Sequence, residues 1–130
     1  MKKAITLLAF ATIALTLLSV ALPVKAPADN KTLWKQYDEA LKKGLPKTAI
    51  TNLEPIIARA LQEKNYDEAI KAIGKKIALE GNIQGNLPEE KILRLEAEIA
   101  KAPKEMAPVM DAILANWYWH YFQRNRWRFM

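Results

Sequence analysis

The chain has 130 residues, no cysteine, and 20 lysines and arginines against 14 aspartates and glutamates, which gives a formal net charge of +6. Without cysteine the sequence can form neither a disulfide framework nor a lipoprotein attachment site, and it holds no thiol nucleophile. The length suits a single small domain.

Residues 1–28 are predicted to be a secretory signal peptide. Two lysines stand near the start, residues 4–22 are uncharged and apolar, and Pro23 ends the apolar segment. Small residues allow cleavage after Ala26 or after Ala28, and we favour the second site because a proline would otherwise begin the mature chain. The apolar segment nearly reaches the ~20 residues that span a bilayer, so an uncleaved membrane anchor is the alternative. The sequence therefore predicts export to the periplasm or cell envelope.

Export would remove half of the net positive charge. Lys2, Lys3 and Lys25 leave with the signal peptide, so 17 basic and 14 acidic residues remain and the net charge falls from +6 to +3. A charge this small gives little support to nucleic-acid binding, and an exported chain has little access to nucleic acid. We therefore expect no nucleic-acid partner.

The remaining residues, 29–130, are predicted to form one all-α domain. Apolar spacing indicates helices at about 30–43, 46–64 and 66–79, a fourth from Pro88 to the break at Ala102, and a fifth from Pro103 or Lys104 into the aromatic end. Asp29 or Asn30 can cap the first helix, and Gly44 suits the left-handed position after its end. Residues 81–86 are rich in glycine and asparagine and are predicted to form a loop.

Each of the first four helices carries one apolar stripe that is expected to face the core. The stripes consist of Trp34, Tyr37 and Leu41; Ile50, Leu53, Ile57 and Leu61; Ala69, Ile70, Ile73 and Ile77; and Ile92, Leu95 and Ile99. Pro55 lies in the middle of the second helix and is expected to kink it or to split it in two. On the fourth helix, Arg94 is expected to pair with Glu90 and Glu98, each four residues away.

One hexapeptide occurs twice in the chain. Residues 37–42 read YDEALK and residues 66–71 read YDEAIK, 29 residues later. The repeat indicates that the first and third helices are equivalent members of a stack of helical hairpins, which looks like tetratricopeptide repeats but departs from their usual period of about 34 residues. Chance repetition of ordinary helix composition is the alternative.

The last fifteen residues hold seven of the eleven aromatic residues and the single histidine. At ~100° per residue, the fifth helix places seven large apolar side chains on one broad face that can close the core: Met110, Leu114, Trp117, Tyr118, Tyr121, Phe122 and Phe129. Trp119 and Trp127 fall roughly opposite. Four short helices cannot cover both faces.

The uncovered face predicts an interface. The predicted interface takes in residues from both sides of the helix end: Trp117, Trp119, Tyr121, Phe122, Arg124, Arg126, Trp127 and Phe129. We expect it to bind further sequence of the same polypeptide, a second copy of the chain or a partner protein. A helix lying on a membrane surface is the other possibility.

No catalytic or metal-binding arrangement is visible in the sequence. The single serine, Ser19, lies in the signal segment, and one histidine excludes a multi-histidine metal site. His120 has no carboxylate three or four residues away and is interpreted as a packing residue. Gly74 and Lys75 lack the second glycine and the hydroxyl residue of a phosphate-binding loop. We therefore predict a protein that is not an enzyme and has no cofactor and no metal.

Three stretches of the chain carry a family resemblance. They are KIALEGNIQGN (76–86), LEAEI (95–99) and, most specifically, NWYWHYFQRNRWRF (116–129). Together they resemble the N-terminal helical region of large bacterial alpha-2-macroglobulin-like proteins, over about residues 30–130. The resemblance implies an exported multidomain protein in which β-sandwich domains follow the helical region. Many members trap proteases through a cysteine-containing thioester, and no residue here can supply that cysteine.

The prediction is therefore a non-catalytic, N-terminal helical module of an exported macroglobulin-like protein, with more sequence expected to follow. Protease trapping, or defence of the envelope, would belong to the parent protein, so proteases are partners only through it. One alternative is a stand-alone periplasmic α-solenoid that binds a peptide or a protein. Another is an accessory protein held at the membrane by an uncleaved signal segment.

Overall fold

The structure, a computed structural model, describes residues 28–130. Its helices are α1 (Asn30–Lys42), α2 (Pro46–Gln62), α3 (Tyr66–Ile83), α4 (Pro88–Lys101) and α5 (Ala107–Asn125), followed by a short 3₁₀ helix (Arg126–Arg128). No strand occurs in this part of the chain, so the prediction of an all-α fold is confirmed. The predicted signal peptide falls almost wholly on residues 1–27, outside the described residues.

The helix starts and the first helix end follow their local sequence. The Asp29 side chain accepts a hydrogen bond of 2.9 Å from the backbone N–H of Thr32 and caps α1. Hydrogen bonding with the Thr32 side chain, and then with its backbone, lowers the pKa of the Asp29 carboxyl. Gly44 follows the end of α1 with a φ of 67°, a left-handed conformation that glycine adopts without strain. Prolines at the first position start α2 and α4, because the ring fixes a helical φ.

Pro55 does not split α2, which is one helix from Pro46 to Gln62. The proline ring lies on the exposed side of the helix. The lost backbone hydrogen bond therefore falls where water can replace it, while the buried side of α2 continues without a break.

Two helix boundaries differ from those predicted. The third helix runs to Ile83, so Gly81 lies buried inside it and the turn begins only at Gln84. A Cβ at Gly81 would collide with the side chain of Lys91, so glycine here makes room for α4. The positive φ angles of the turn occur later, at Gly85 and Asn86. The fifth helix starts at Ala107, because a turn occupies residues 104–106.

Each helix packs mainly against its neighbours in sequence, which produces a stack. The helices enclose two clusters of buried side chains that meet at α2 and α3. The first cluster contains Leu33, Tyr37, Ala40, Ala49, Leu53, Ile56 and Ala72, and the second contains Ala60, Ala69, Ile70, Ile73, Ile77, Leu95, Met106 and Met110. The predicted stripe of α3 is buried, and so are Ile92 and Leu95 of α4.

The predicted stripes of α1 and α2 are correct at Tyr37 and Leu53, which are buried, but their other buried positions are displaced by one residue. Leu41 is 37% exposed, while Leu33 and Ala40 are buried. On α2, Ile50 is only half-buried and Ala49 is fully buried. Small side chains let the helix backbones approach closely, so the alanines, rather than the larger neighbouring residues, lie at the contacts between helices.

Polar contacts tie α1 directly to the start of α3. The Glu68 carboxylate accepts hydrogen bonds of 2.8 Å from the Trp34 indole N–H and from the Asn30 amide. The Lys71 ammonium lies 4.8 Å from the centre of the Trp34 ring, within cation–π range. These contacts fix α1 against a helix that is not its neighbour in sequence.

The repeated hexapeptide starts at different places in the two helices. Tyr37 is buried in the middle of α1, whereas Tyr66 is the first residue of α3 and is half-buried. Glu68 bonds to α1, while the matching Glu39 is exposed to solvent. Both copies nevertheless bury their alanine, Ala40 or Ala69, in the core.

The predicted ion pairs along α4 are replaced by one between helices. Arg94 binds the Glu80 carboxylate of α3 at 2.6 Å and also contacts the Gln84 side chain. The arginine therefore connects α4 to α3 instead of pairing with Glu90 or Glu98 on its own helix.

Candidate functional site

The first half of α5 is a core element. Met110 is fully buried, and Ile113, Leu114 and Trp117 are half-buried against the second core cluster. Beyond Trp117 the character of the helix changes, because no further α-helix within residues 28–130 packs against the outer side of α5.

Two tyrosines hold the second half of α5 against α4. The Tyr118 hydroxyl donates to Glu96 at 2.6 Å, and the Tyr121 hydroxyl donates to Glu89 at 2.9 Å. Each carboxylate raises the pKa of its tyrosine, because it stabilises the protonated phenol. The pKa of Glu89 is lowered, first by its own backbone N–H and then by Tyr121, with a further contribution from Arg128, 3.9 Å away.

The outer side of α5 and the 3₁₀ helix expose four large aromatic side chains, which we call the aromatic surface. Its members are Trp119, Phe122, Trp127 and Phe129, with 58, 42, 76 and 60% of the side chains exposed. The Phe122 ring lies 6.1 Å from Trp119 and 5.9 Å from Phe129, centre to centre, so these three rings form one patch. Exposed aromatic patches of this kind are typical of binding surfaces.

The opposite side of α5 forms one wall of a cleft of about 350 Å³. The turn between α3 and α4 and the start of α4 form the other walls. Ile92 and the Trp117 ring supply apolar surface, and Lys91, His120 and Arg124 supply basic groups. We call this the cationic cleft, because no acidic residue lines it.

The basic groups of the cationic cleft have few partners within residues 28–130. The Lys91 ammonium donates to the side-chain oxygens of Asn86 and Asn82, which are uncharged. His120 and Arg124 form no side-chain hydrogen bond or ion pair with any described residue. The cleft therefore presents positive charge that the described residues do not neutralise.

A second groove, between α2, α3 and α4, differs from the cationic cleft because its positive charges are neutralised within the protein. Its basic residues are each paired with a carboxylate: Lys76 with Glu54 at 2.6 Å, Arg94 with Glu80 at 2.6 Å, and Lys101 with Glu98 at 3.1 Å. Burial lowers the pKa of Lys76, but the hydrogen bond to Glu54 and the carboxylates around it more than compensate and raise it. The basic side chains of this groove are therefore already neutralised by carboxylates of the protein itself.

The eight residues of the predicted interface fall into separate groups. Trp119, Phe122, Trp127 and Phe129 form the aromatic surface, with Arg126 exposed beside Trp127 in the 3₁₀ helix. Trp117, Tyr121 and Arg124 line the cationic cleft instead. Whether either group forms an interface stays a prediction.

The prediction that Phe122, Phe129 and Tyr118 close the core is wrong, since all three are more than two-fifths exposed. Phe129 follows the end of α5, where the angular period of an α-helix no longer applies. His120 is not a packing residue either, because it is exposed at the cleft. Lys91 was missed entirely, since only the packing of α4 against α5 brings it near Arg124.

Residues 28–130 contain no group of three or more potential metal ligands. None of their helices is both long enough and apolar enough to span a membrane.

Comparison of the chain with protein-family models, with curated proteins and with solved structures gives no match.

Proposed function

We propose that this chain is a non-catalytic helical module of an exported bacterial macroglobulin-like protein, in which it docks onto the following domains through the aromatic surface. The exposed patch of Trp119, Phe122 and Phe129 carries this proposal. Large aromatic side chains dominate the binding energy of protein interfaces, and leaving them in water is unfavourable. The resemblance of residues 116–129 to the helical region of that family supports the same partner.

The proposal assigns protease trapping or envelope defence to the parent protein and only a packing role to this module. Helical hairpins of the tetratricopeptide type would suit that role, because each unit buries its apolar face against the next and leaves the last face for a partner. A cleaved signal peptide would deliver the protein to the periplasm or envelope. Cleavage after Ala26 would retain Ala28, which packs beside the first core cluster, whereas cleavage after Ala28 would remove that contact.

The size of the native polypeptide tests the proposal. An antibody against residues 29–130 should detect, in fractionated native cells, an envelope or periplasmic band far above the 14.8 kDa of this chain. N-terminal sequencing of that band should begin at residue 27 or 29. A small soluble periplasmic band would contradict the proposal and favour a stand-alone binding module.

Removing two rings of the aromatic surface should separate docking from folding. We expect Trp119→Ala combined with Trp127→Ala to weaken binding to the separately expressed remainder of the parent polypeptide at least tenfold, as loss of interface hot spots does. The unfolding temperature should change by only a few degrees, because both side chains are already exposed.

Leu93→Ala is the matched control for this experiment. Leu93 is an apolar residue of α4 that is 62% exposed and does not belong to the aromatic surface. Its loss should leave both binding and stability unchanged. The docking role is wrong if the double variant binds as tightly as the unmodified protein, or if stability and binding fall together.

A stand-alone periplasmic peptide-binding module is the second candidate function. The cationic cleft favours it, because Arg124 and His120 have no polar partners among the described residues and face an open space beside Trp117. In that case the native band in the blot would match the processed length of this chain.

A further inference from the structure

We propose that the cationic cleft binds a carboxylate group of an acidic peptide segment. The cleft and the aromatic surface lie on opposite sides of α5, since Trp117, His120 and Arg124 line the first and Trp119 and Phe122 form the second. This inference therefore goes beyond the proposed docking role and does not require it.

The charge of the cleft selects an anionic ligand. Lys91 and Arg124 are basic residues, and no acidic residue lines the cleft. The Glu89 carboxylate accepts a hydrogen bond from the cleft residue Tyr121 and lies 3.9 Å from Arg128. It therefore serves the contact between α4 and α5 rather than the basic groups of the cleft.

The contrast with the groove between α2, α3 and α4 strengthens this assignment. There each basic side chain has an internal carboxylate within 3.1 Å, so a second anion would have to displace a bound one. In the cationic cleft, Lys91 would exchange only contacts with neutral amide oxygens. Arg124, which has no polar partner among the described residues, would gain one from the peptide. A guanidinium can bind both oxygens of a carboxylate.

The apolar wall of the cleft favours a peptide over an inorganic anion. Ile92 and the Trp117 ring offer a surface for an aliphatic or aromatic side chain next to the basic groups. The volume of about 350 Å³ lies at the lower end of the range for small-ligand sites, which suits one or two amino-acid side chains. An inorganic phosphate would gain nothing from the apolar wall.

The position of Lys91 depends on α3. Gly81 is buried, and its missing side chain leaves the space through which the Lys91 side chain runs toward Asn82 of α3 and Asn86 of the turn. The sequence of α3 thus keeps one of the basic groups at the edge of the cleft.

A pair of peptides that differ only in charge tests the proposal on the full chain, purified as cells process it. Calorimetry should show acetyl-Ala-Leu-Glu-Glu-amide binding at least about tenfold more tightly than acetyl-Ala-Leu-Gln-Gln-amide, as expected for a charged hydrogen bond. Arg124→Gln or Lys91→Gln should each weaken binding of the acidic peptide about tenfold. Each variant should keep the unfolding temperature of the unmodified protein within a few degrees, since both side chains are at least partly exposed.

Arg126→Gln is the matched control, because Arg126 has the same chemistry but does not line the cleft. It should bind the acidic peptide as the unmodified protein does. An equal loss with Arg126→Gln would show that general surface charge, rather than a site, binds the peptide. Equal affinity for the two peptides, or no binding of either, would overturn the proposal.

Competition by inorganic phosphate as strong as that by the acidic peptide would overturn the peptide assignment in favour of a small anion. The double variant with Trp119→Ala and Trp127→Ala should bind the acidic peptide as the unmodified protein does. Failure of the docking proposal can therefore be told apart from failure of the peptide-binding proposal.

Discussion

Replacing Leu53 by alanine is expected to lower the free energy of unfolding by about 3 kcal/mol. Leu53 is fully buried in α2 and belongs to the first core cluster, together with Leu33 and Tyr37 of α1 and Ala72 of α3. Truncation removes buried apolar surface and leaves a cavity. The loss is a large part of the roughly 5–15 kcal/mol by which a folded domain is typically stable. Urea denaturation followed by far-UV circular dichroism would measure it.

Leu93→Ala makes the same chemical change at a surface position and serves as the control. Leu93 is 62% exposed on α4, so its truncation is expected to change the free energy of unfolding by less than about 0.5 kcal/mol. A similar loss for both variants would mean that the arrangement of the core differs from the one described. The comparison is direct, because helix propensity changes equally little in both cases.

Much of the fold could be predicted because large apolar residues recur every three or four positions. On α3 that pattern identifies Ile70, Ile73 and Ile77, and all three are buried. On α1 and α2 the contacts between helices are made through alanines such as Ala40 and Ala49, which a search for large residues passes over. Periodicity therefore locates a helix more reliably than the line along which two helices touch.

The helix ends show a similar limit. Glycine and asparagine at positions 81 and 82 are weak helix formers, and the sequence alone favours a loop there. In the structure α3 continues to Ile83, because Gly81 provides space for the side chain of Lys91 from α4. Such a reason depends on a contact between two helices and cannot be read from either segment by itself.

The two candidate sites also differ in whether the sequence alone reveals them. The aromatic surface is visible in the sequence as a concentration of rings near residues 117–129, too many for one small domain to bury. The cationic cleft is not visible, because Lys91 and Arg124 are distant in sequence and are brought together only by the packing of α5 on α4. A pattern within one helix can reveal an exposed face, but a cleft between two helices depends on how those helices pack against each other.

Replacing Glu68 by alanine is expected to cost about 2 kcal/mol of stability, because its carboxylate is the acceptor that joins α1 to α3. Both the Trp34 indole and the Asn30 amide donate to it at 2.8 Å. The side-chain oxygen of Asn30 is already buried without a partner, so the variant would leave that amide with no side-chain hydrogen bond. Denaturation by urea would give the loss, and Glu68→Gln, which keeps one carbonyl oxygen, should show a smaller one.

Glu39→Ala is the control that the sequence itself supplies, since Glu39 occupies the same place in the first copy of the hexapeptide. Its side chain is exposed, and we expect a change of less than about 0.5 kcal/mol. If both glutamates were equally important, the two copies would be structural equivalents, as the repeat alone suggests. Unequal effects would show that two nearly identical hexapeptides take different roles, because Tyr37 lies in the middle of α1 and Tyr66 at the start of α3. The stability of this stack would then depend on where a helix begins relative to its neighbours, which the repeated letters do not encode.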